Sequence, residues 1–238
     1  MLKHLSFSSI MAWARCPTSW FCKYVDGVKE EAGSAADFGN QFEALVAIKN
    51  GYPAEKFKGE TPELLEAYAA YEPIFLNWKS AHEVKYQVQL NVSREQWAEK
   101  AEELDANPEM PYPILGYIDF LRLGLAPEIL DLKTRARLEL KPEDLTQTIL
   151  YSIFAPARTY RIHMFGTMTG KTKDVGGIAT KELQRETMDT LAFYAGQIKE
   201  AVENRPPLAK LPGYHCSWCP LKTMLVDSKP ACAIASSL

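Results

Sequence analysis

The stretch Gly116-Tyr117-Ile118-Asp119, continued through Glu128-Ile129-Leu130-Asp131-Leu132-Lys133-Thr134, decides how this chain is read. It predicts two apolar strands joined by a short turn at Leu125-Ala126-Pro127. An aspartate inside the first strand and an Asp-x-Lys inside the second interrupt the apolar pattern. Side chains alternate faces along a strand, so Asp131 and Lys133 project on one side. A hairpin through the turn places Asp119 beside them, to within a residue of register. Buried charges are costly unless they pair or bind metal. The trio therefore reads either as a lysine bridging two aspartates or as a divalent-metal site with a lysine beside it.

The elements outside the hairpin suggest an α/β architecture, a mixed sheet flanked by helices. Ser6 or Ser8 caps a helix carrying Ile10, Met11 and Trp13, and Cys16-Pro17 breaks it before a short aromatic turn. Residues 26–37 read as a loop. A helix from Phe38 to Ile48 presents Phe42, Leu45 and Val46, with Gly39 allowing close approach and Glu43 beside the apolar face. Thr61-Pro62-Glu63 opens a helix to Lys79, and residues 84–92 alternate strictly as a strand. Residues 93–113 read as a helix plus a loop. Lys141-Pro142-Glu143-Asp144 opens a helix on which Gln147 and Tyr151, four apart, share a face. Residues 158–167 read as a strand, 169–177 as a flexible loop with Lys171 and Lys173, and about 180–204 as a long helix ended by Pro206-Pro207. Walker-type order is missing from the Gly- and Lys-bearing loop, which excludes a phosphate loop.

The chain has 238 residues, 47% hydrophobic and 24% charged, with a formal net charge of −3. That balance argues against a wholly basic nucleic-acid binder and leaves room for a local basic groove. No apolar run reaches the length of a membrane span, and the N-terminus lacks the apolar core of a signal peptide, so a cytoplasmic protein without a membrane partner is expected. There are five cysteines, an odd number that argues against a disulfide framework. Cys216-Ser217-Trp218-Cys219 has metal-ligand spacing, with Cys232 following and Cys16 or Cys22 available from the other end. Four thiolates suit zinc or an iron–sulfur cluster.

Taken together, these residues resemble the PD-(D/E)XK nuclease superfamily, specifically its RecB-like and Cas4-like exonucleases. Gly116-Tyr117-Ile118-Asp119 resembles the family's Gly-aromatic-aliphatic-Asp motif, and Ile129-Leu130-Asp131-Leu132-Lys133-Thr134 its Asp-x-Lys-Thr strand. Gln147-Thr148-Ile149-Leu150-Tyr151 resembles its Gln-x-x-x-Tyr helix, and Cys16-Pro17 with the Cys216, Cys219 and Cys232 tail resembles its split iron–sulfur ligands. Where the RecB-like pattern has a histidine, at the fourth position from Gly39, this chain has Glu43, as other branches of the superfamily do.

The resemblance implies one restriction-endonuclease-like domain over residues 1–238, with a core at about 38–204. Cluster-binding ends at about 6–24 and 205–238 would be joined by the cysteine metal cluster. It implies a divalent-metal-dependent DNA exonuclease acting on single strands or duplex ends, in recombination, repair, phage replication or CRISPR adaptation. Glu43, Asp119, Asp131 and the Leu132 carbonyl would hold Mg²⁺ or Mn²⁺, and Lys133 would act on the attacking water or the developing phosphorane charge. Gln147 and Tyr151 would hold the lysine or the strand. Cys16, Cys216, Cys219 and Cys232 would hold a 4Fe–4S cluster (or Zn²⁺), with Cys22 the other candidate for the fourth ligand. Lys171, Lys173, Arg135 and Arg137 are the candidate DNA contacts. A non-catalytic nucleic-acid-binding module and a zinc-stabilised interaction module are the alternatives.

Overall fold

A computed structural model describes residues 2–28, 34–80 and 82–204, together with the short strands Leu225–Val226 (β6) and Lys229–Pro230 (β7). The chain divides into two compact units. One comprises Met1–Glu31, Asn91–Leu115 and Met188–Leu238, the other Ala32–Leu90 and Gly116–Thr187.

The first unit begins with α1 (Phe7–Arg15) and α2 (Pro17–Tyr24). Of the two candidate caps, Ser6 is the one used: its hydroxyl accepts from Ser9 N–H while Ser9 Oγ reciprocates at Ser6 N–H. Proline at the first position of α2 then enforces the break after Cys16. Trp13 and Trp20 meet edge to face at 5.3 Å, and Trp20 stacks on Tyr24. The helix α5 (Arg94–Leu104) buries Trp97 completely, its indole N–H donating to the Asn107 carbonyl. The long helix α7 (Lys181–Asn204) continues into this unit from Met188, where Gln197 accepts from Trp13 Nε1 at 3.0 Å.

The second unit carries most of the expected mixed sheet. Its strands are β1 (Val84–Val92), β2 (Ile114–Arg122), β3 (Glu128–Arg135), β4 (Thr159–Gly166) and β5 (Thr172–Ile178), in that spatial order. β3 is antiparallel to β2 and parallel to β4, and β4 is antiparallel to β5. A parallel neighbour needs a crossover, supplied here by α6 (Pro142–Phe154), which lies against β3 and β4. The helices α3 (Ser34–Lys49) and α4 (Pro62–Lys79) cover apolar side chains of the sheet. Phe42, Leu45, Tyr71, Phe75 and Trp78 pack there with Phe120, Leu130 and Leu132. The alternation of β3 thus sends its leucines into this core and its Asp-x-Lys toward α6.

Two boundaries differ from the sequence reading. Residues 34–37, assigned to a loop, form the first turn of α3. Residues 172–178, of which the sequence reading assigns 172–177 to a flexible loop, form the edge strand β5, paired with β4 from Phe165↔Thr172 to Thr159↔Ile178. Glycine weakens a strand by its own propensity, but packing overrides it here. A Cβ on Gly177 would lie 2.5 Å from the Tyr160 hydroxyl, so the glycine is what lets β5 close over that ring.

Candidate active site

The hairpin register brings Asp119 opposite Asp131, but the β2–β3 pairing runs only from Arg122↔Glu128 to Phe120↔Leu130. Beyond it, the Asp119 carboxylate supplies the acceptor: Leu132 N–H donates to Asp119 Oδ2 at 2.8 Å. The acid therefore substitutes for a strand carbonyl at the point where the ladder stops. One proposed reading of the trio, a lysine bridging both aspartates, is not what forms. Lys133 Nζ donates to Asp131 Oδ1 at 2.9 Å and to Gln147 Oε1 at 3.0 Å, and Asp119 is held by backbone instead.

Gln147 passes the arrangement on. Its Nε2 donates to the Tyr151 hydroxyl at 2.8 Å, one helical turn along α6. This chain fixes which end of the amide faces the lysine. Gly116 makes room for the end of the relay, since a Cβ there would lie 3.0 Å from Tyr151 Cε1.

Glu43 comes from α3. Gly39, one turn earlier, permits the approach: a Cβ there would sit 2.7 Å from Thr134 Oγ1 on β3. Glu43 accepts from Gln87 Nε2 at 3.2 Å and from the Tyr86 hydroxyl. Adjacent strand residues normally face opposite ways. Both reach Glu43 because Gln87 has a left-handed backbone, φ 46°, in the middle of β1. Neither residue was singled out from sequence. The regular alternation of residues 84–92 conceals the kink, and no glycine marks it.

The electrostatics of the acids share one cause. Burial raises the pKa of Glu43, Asp119 and Asp131, most strongly at Asp119, where Glu43 and Asp131 add repulsion. Burial alone would weaken the charged form of Lys133, but Asp131 and Asp119 outweigh it and its pKa rises above the usual value. Lys133 is thus a permanent cation at neutral pH, a donor and not a base. Burial pushes Tyr151 up to about 12, so its hydroxyl stays protonated.

Among the described residues, no three His, Cys, Asp or Glu side chains stand close enough together to hold a metal ion as they are placed. The donor chemistry nevertheless fits a hard divalent cation. Asp131 Oδ2 is buried with no hydrogen-bond partner, and three mutually repelling carboxylates face one lysine.

The other predicted residues are distributed more widely. Arg135 is half-buried and ion-paired with Asp144 at the start of α6, which also accepts from Lys141 N–H. Its charge is therefore engaged in tying α6 to β3. Arg137, Lys171 and Lys173 are exposed. Cys16 is buried at the α1–α2 junction in the other unit, and Cys22 is half-buried there. Cys216, Cys219 and Cys232 lie outside the described residues.

Comparison with known proteins gives three results. The model of a family described as the PD-(D/E)XK nuclease superfamily matches residues 4–224. No match is found among curated proteins. Among solved structures, the chain is similar to a Eubacterium rectale protein provisionally named an exonuclease, at 13% identity and a TM-score of 0.63, covering 94% of this chain and 89% of that one. It also aligns with a protein called SSO0001 at 10% identity and a TM-score of 0.49, covering 96% of this chain and 88% of that one. At such identities the first likeness speaks to fold alone, and the second carries no argument. No helix among the described residues is long and apolar enough to cross a membrane.

Proposed function

This chain belongs to the PD-(D/E)XK nuclease superfamily, and on that premise we propose that it is a divalent-metal-dependent deoxyribonuclease, an exonuclease hydrolysing phosphodiester bonds of single strands or duplex ends. The observation that carries the reading is the buried, unpartnered Asp131 Oδ2 beside a lysine held by the Gln147–Tyr151 relay. A purely structural ion pair has no need of an orphaned oxygen or of a relay.

Glu43, Asp119 and Asp131, with the Leu132 carbonyl, would hold Mg²⁺ or Mn²⁺. A bound ion of this kind lowers the pKa of a water and neutralises phosphate charge. Lys133 has three N–H donors, of which Asp131 and Gln147 take two. The third is free to donate to the attacking water or to a phosphate oxygen, where charge develops in the transition state. Gln147 sets the direction of Lys133, and Tyr151 sets the rotamer of Gln147. Arg137, Lys171 and Lys173 are the proposed phosphate contacts, while Arg135 acts through Asp144 by anchoring α6.

The finer assignment to RecB-like or Cas4-like enzymes rests on the same motifs and on the cysteines. We assign Cys16, Cys216, Cys219 and Cys232 to a 4Fe–4S cluster within a single nuclease domain, on the metal-ligand spacing of Cys216 and Cys219 and the resemblance of the split cysteines to that family's ligands.

The test is degradation of labelled single- and double-stranded DNA with Mn²⁺ by protein purified without oxygen, comparing wild type with Asp119→Ala and Lys133→Ala. Loss of cleavage in both variants is expected, and equal cleavage by all three proteins would remove the proposed site. The visible spectrum separately tests the cluster: a colourless, zinc-containing protein would rule out the iron–sulfur assignment and leave the nuclease reading intact.

A further inference from the structure

A cavity of about 490 Å³ opens beside Glu43. Its wall includes Asn40, Glu43, Tyr52, Glu55, Tyr86 and Gln87, all in the unit that carries the acids. We propose that it seats one unpaired nucleobase of the strand being cut, the base next to the scissile phosphate; this rests on the nuclease reading above and adds to it a preference for single-stranded substrate.

Four observations point to a base. Tyr52 and Tyr86 are half-buried, 6.2 Å apart and tilted by 36°, and both line the cavity, with the Lys79 ammonium over the Tyr52 ring at 5.6 Å. Aromatic rings bind bases through their π-faces, and stacking of this kind is tolerant of sequence. Asn40 and Gln87 add amides that both donate and accept; Gln87 gives its N–H to Glu43 and keeps its carbonyl oxygen for a ligand. Glu43 and Glu55 outnumber the one cation of the lining, Lys56, so the wall carries no surplus positive charge for a second phosphate and suits the neutral part of a nucleotide. The volume accommodates one nucleoside and is too small for a duplex.

The cavity is also preformed. The buried Gln41 clamps the far wall to α3, donating to the Lys56 carbonyl at 3.0 Å and accepting from Lys58 N–H at 2.7 Å. Tyr52 is backed by Phe120 at 6.4 Å. The left-handed backbone of Gln87 turns Tyr86 and Gln87 together toward Glu43, so the same distortion that positions a candidate metal ligand also shapes the seat. Strain of this kind concentrates at ligand-binding sites.

The test is a binding scan with the full-length protein, using Ca²⁺ in place of Mg²⁺ or Mn²⁺ to hold back turnover. An abasic residue is moved one position at a time along a short fluorescent single strand, and the Kd is measured by anisotropy for wild type, Tyr52→Ala and Asn40→Ala. Loss of one stacked base is expected to weaken wild-type binding about 5- to 150-fold at a single position. Tyr52→Ala should weaken the intact strand comparably and show no further loss at that position. Asn40, exposed on α3, should give a smaller effect at the same position. A flat scan with wild type overturns the seat. The scan alters the DNA and leaves the protein intact, so a poorly folding Tyr52→Ala cannot obscure the result. Cleavage with a flat scan rejects the seat and keeps the nuclease. A positional effect in a protein that cleaves no DNA keeps the seat and rejects the nuclease.

Discussion

Glu128 and Asp131 are buried acids three residues apart on one strand, and their surroundings are opposite in character. Glu128 Oε2 accepts from Trp78 Nε1 at 2.7 Å, from Arg122 Nη2 at 3.0 Å and from Arg161 Nε at 3.3 Å. Arg161 then pairs with Asp174 at 2.6 Å, so two cations meet two anions. At the other end of β3, Glu43, Asp119 and Asp131 share one lysine, and Asp131 Oδ2 has no partner. The first network is saturated and balanced, which is what a buried charge needs to persist in a fold. The second is short of positive charge and of donors, so the fold holds it at a cost. Strain and unsatisfied polar groups of this sort concentrate at functional sites.

The contrast can be broken in four ways. The largest effect should come from Lys133→Ala, with cleavage slowed about 10²- to 10³-fold by loss of a preorganised donor. Single-turnover kinetics per folded molecule would show it, since the buried acids also lose their one cation and stability falls as well. Glu128→Gln should do the reverse. It leaves Arg122 and Arg161 facing a neutral group and lowers stability by about 2–4 kcal/mol, less than for a wholly buried pair because Arg161 is partly exposed. Urea unfolding measures that loss, and activity per folded molecule should hold.

Gly39→Ala falls between the two. The new methyl meets Thr134 and lifts α3, costing about 1–3 kcal/mol. Because Glu43 travels with α3, cleavage should fall further than the fraction unfolded accounts for. The smallest effect is on stability without a divalent cation, where Asp119→Asn should raise the unfolding temperature by about a few degrees.

The sign of the pH dependence follows from the raised carboxyl pKa values. A group whose pKa is higher folded than unfolded contributes stability that is complete below the ordinary carboxylate value, about 4, and is lost as pH rises through the folded value. The advantage of Asp119→Asn over wild type should therefore grow across that window in EDTA and vanish with saturating Mn²⁺. Thermal melts at stepped pH would show it; an advantage independent of pH would mean that the acids are not in conflict.

Much of this was legible in the chain. The apolar runs around Gly116–Asp119 and Glu128–Thr134 placed both strands, and strand geometry put Asp131 and Lys133 on one face. The spacing of Gln147 and Tyr151 put them on one helical face, and they do bond. The Gly39 approach was likewise local information. Three things were not legible, for a common reason. That β5 is a strand depends on β4 offering an edge and on Tyr160 needing room. That Arg135 is paired depends on where the first turn of α6 falls. That Tyr86 and Gln87 both serve Glu43 depends on a left-handed residue in a run that reads as regular. Periodicity and spacing are properties of neighbours in sequence, so the chain by itself determined which residues share a face. Which partner each face meets, and which oxygen is left without one, is a property of neighbours in space, and only the tertiary structure decided that.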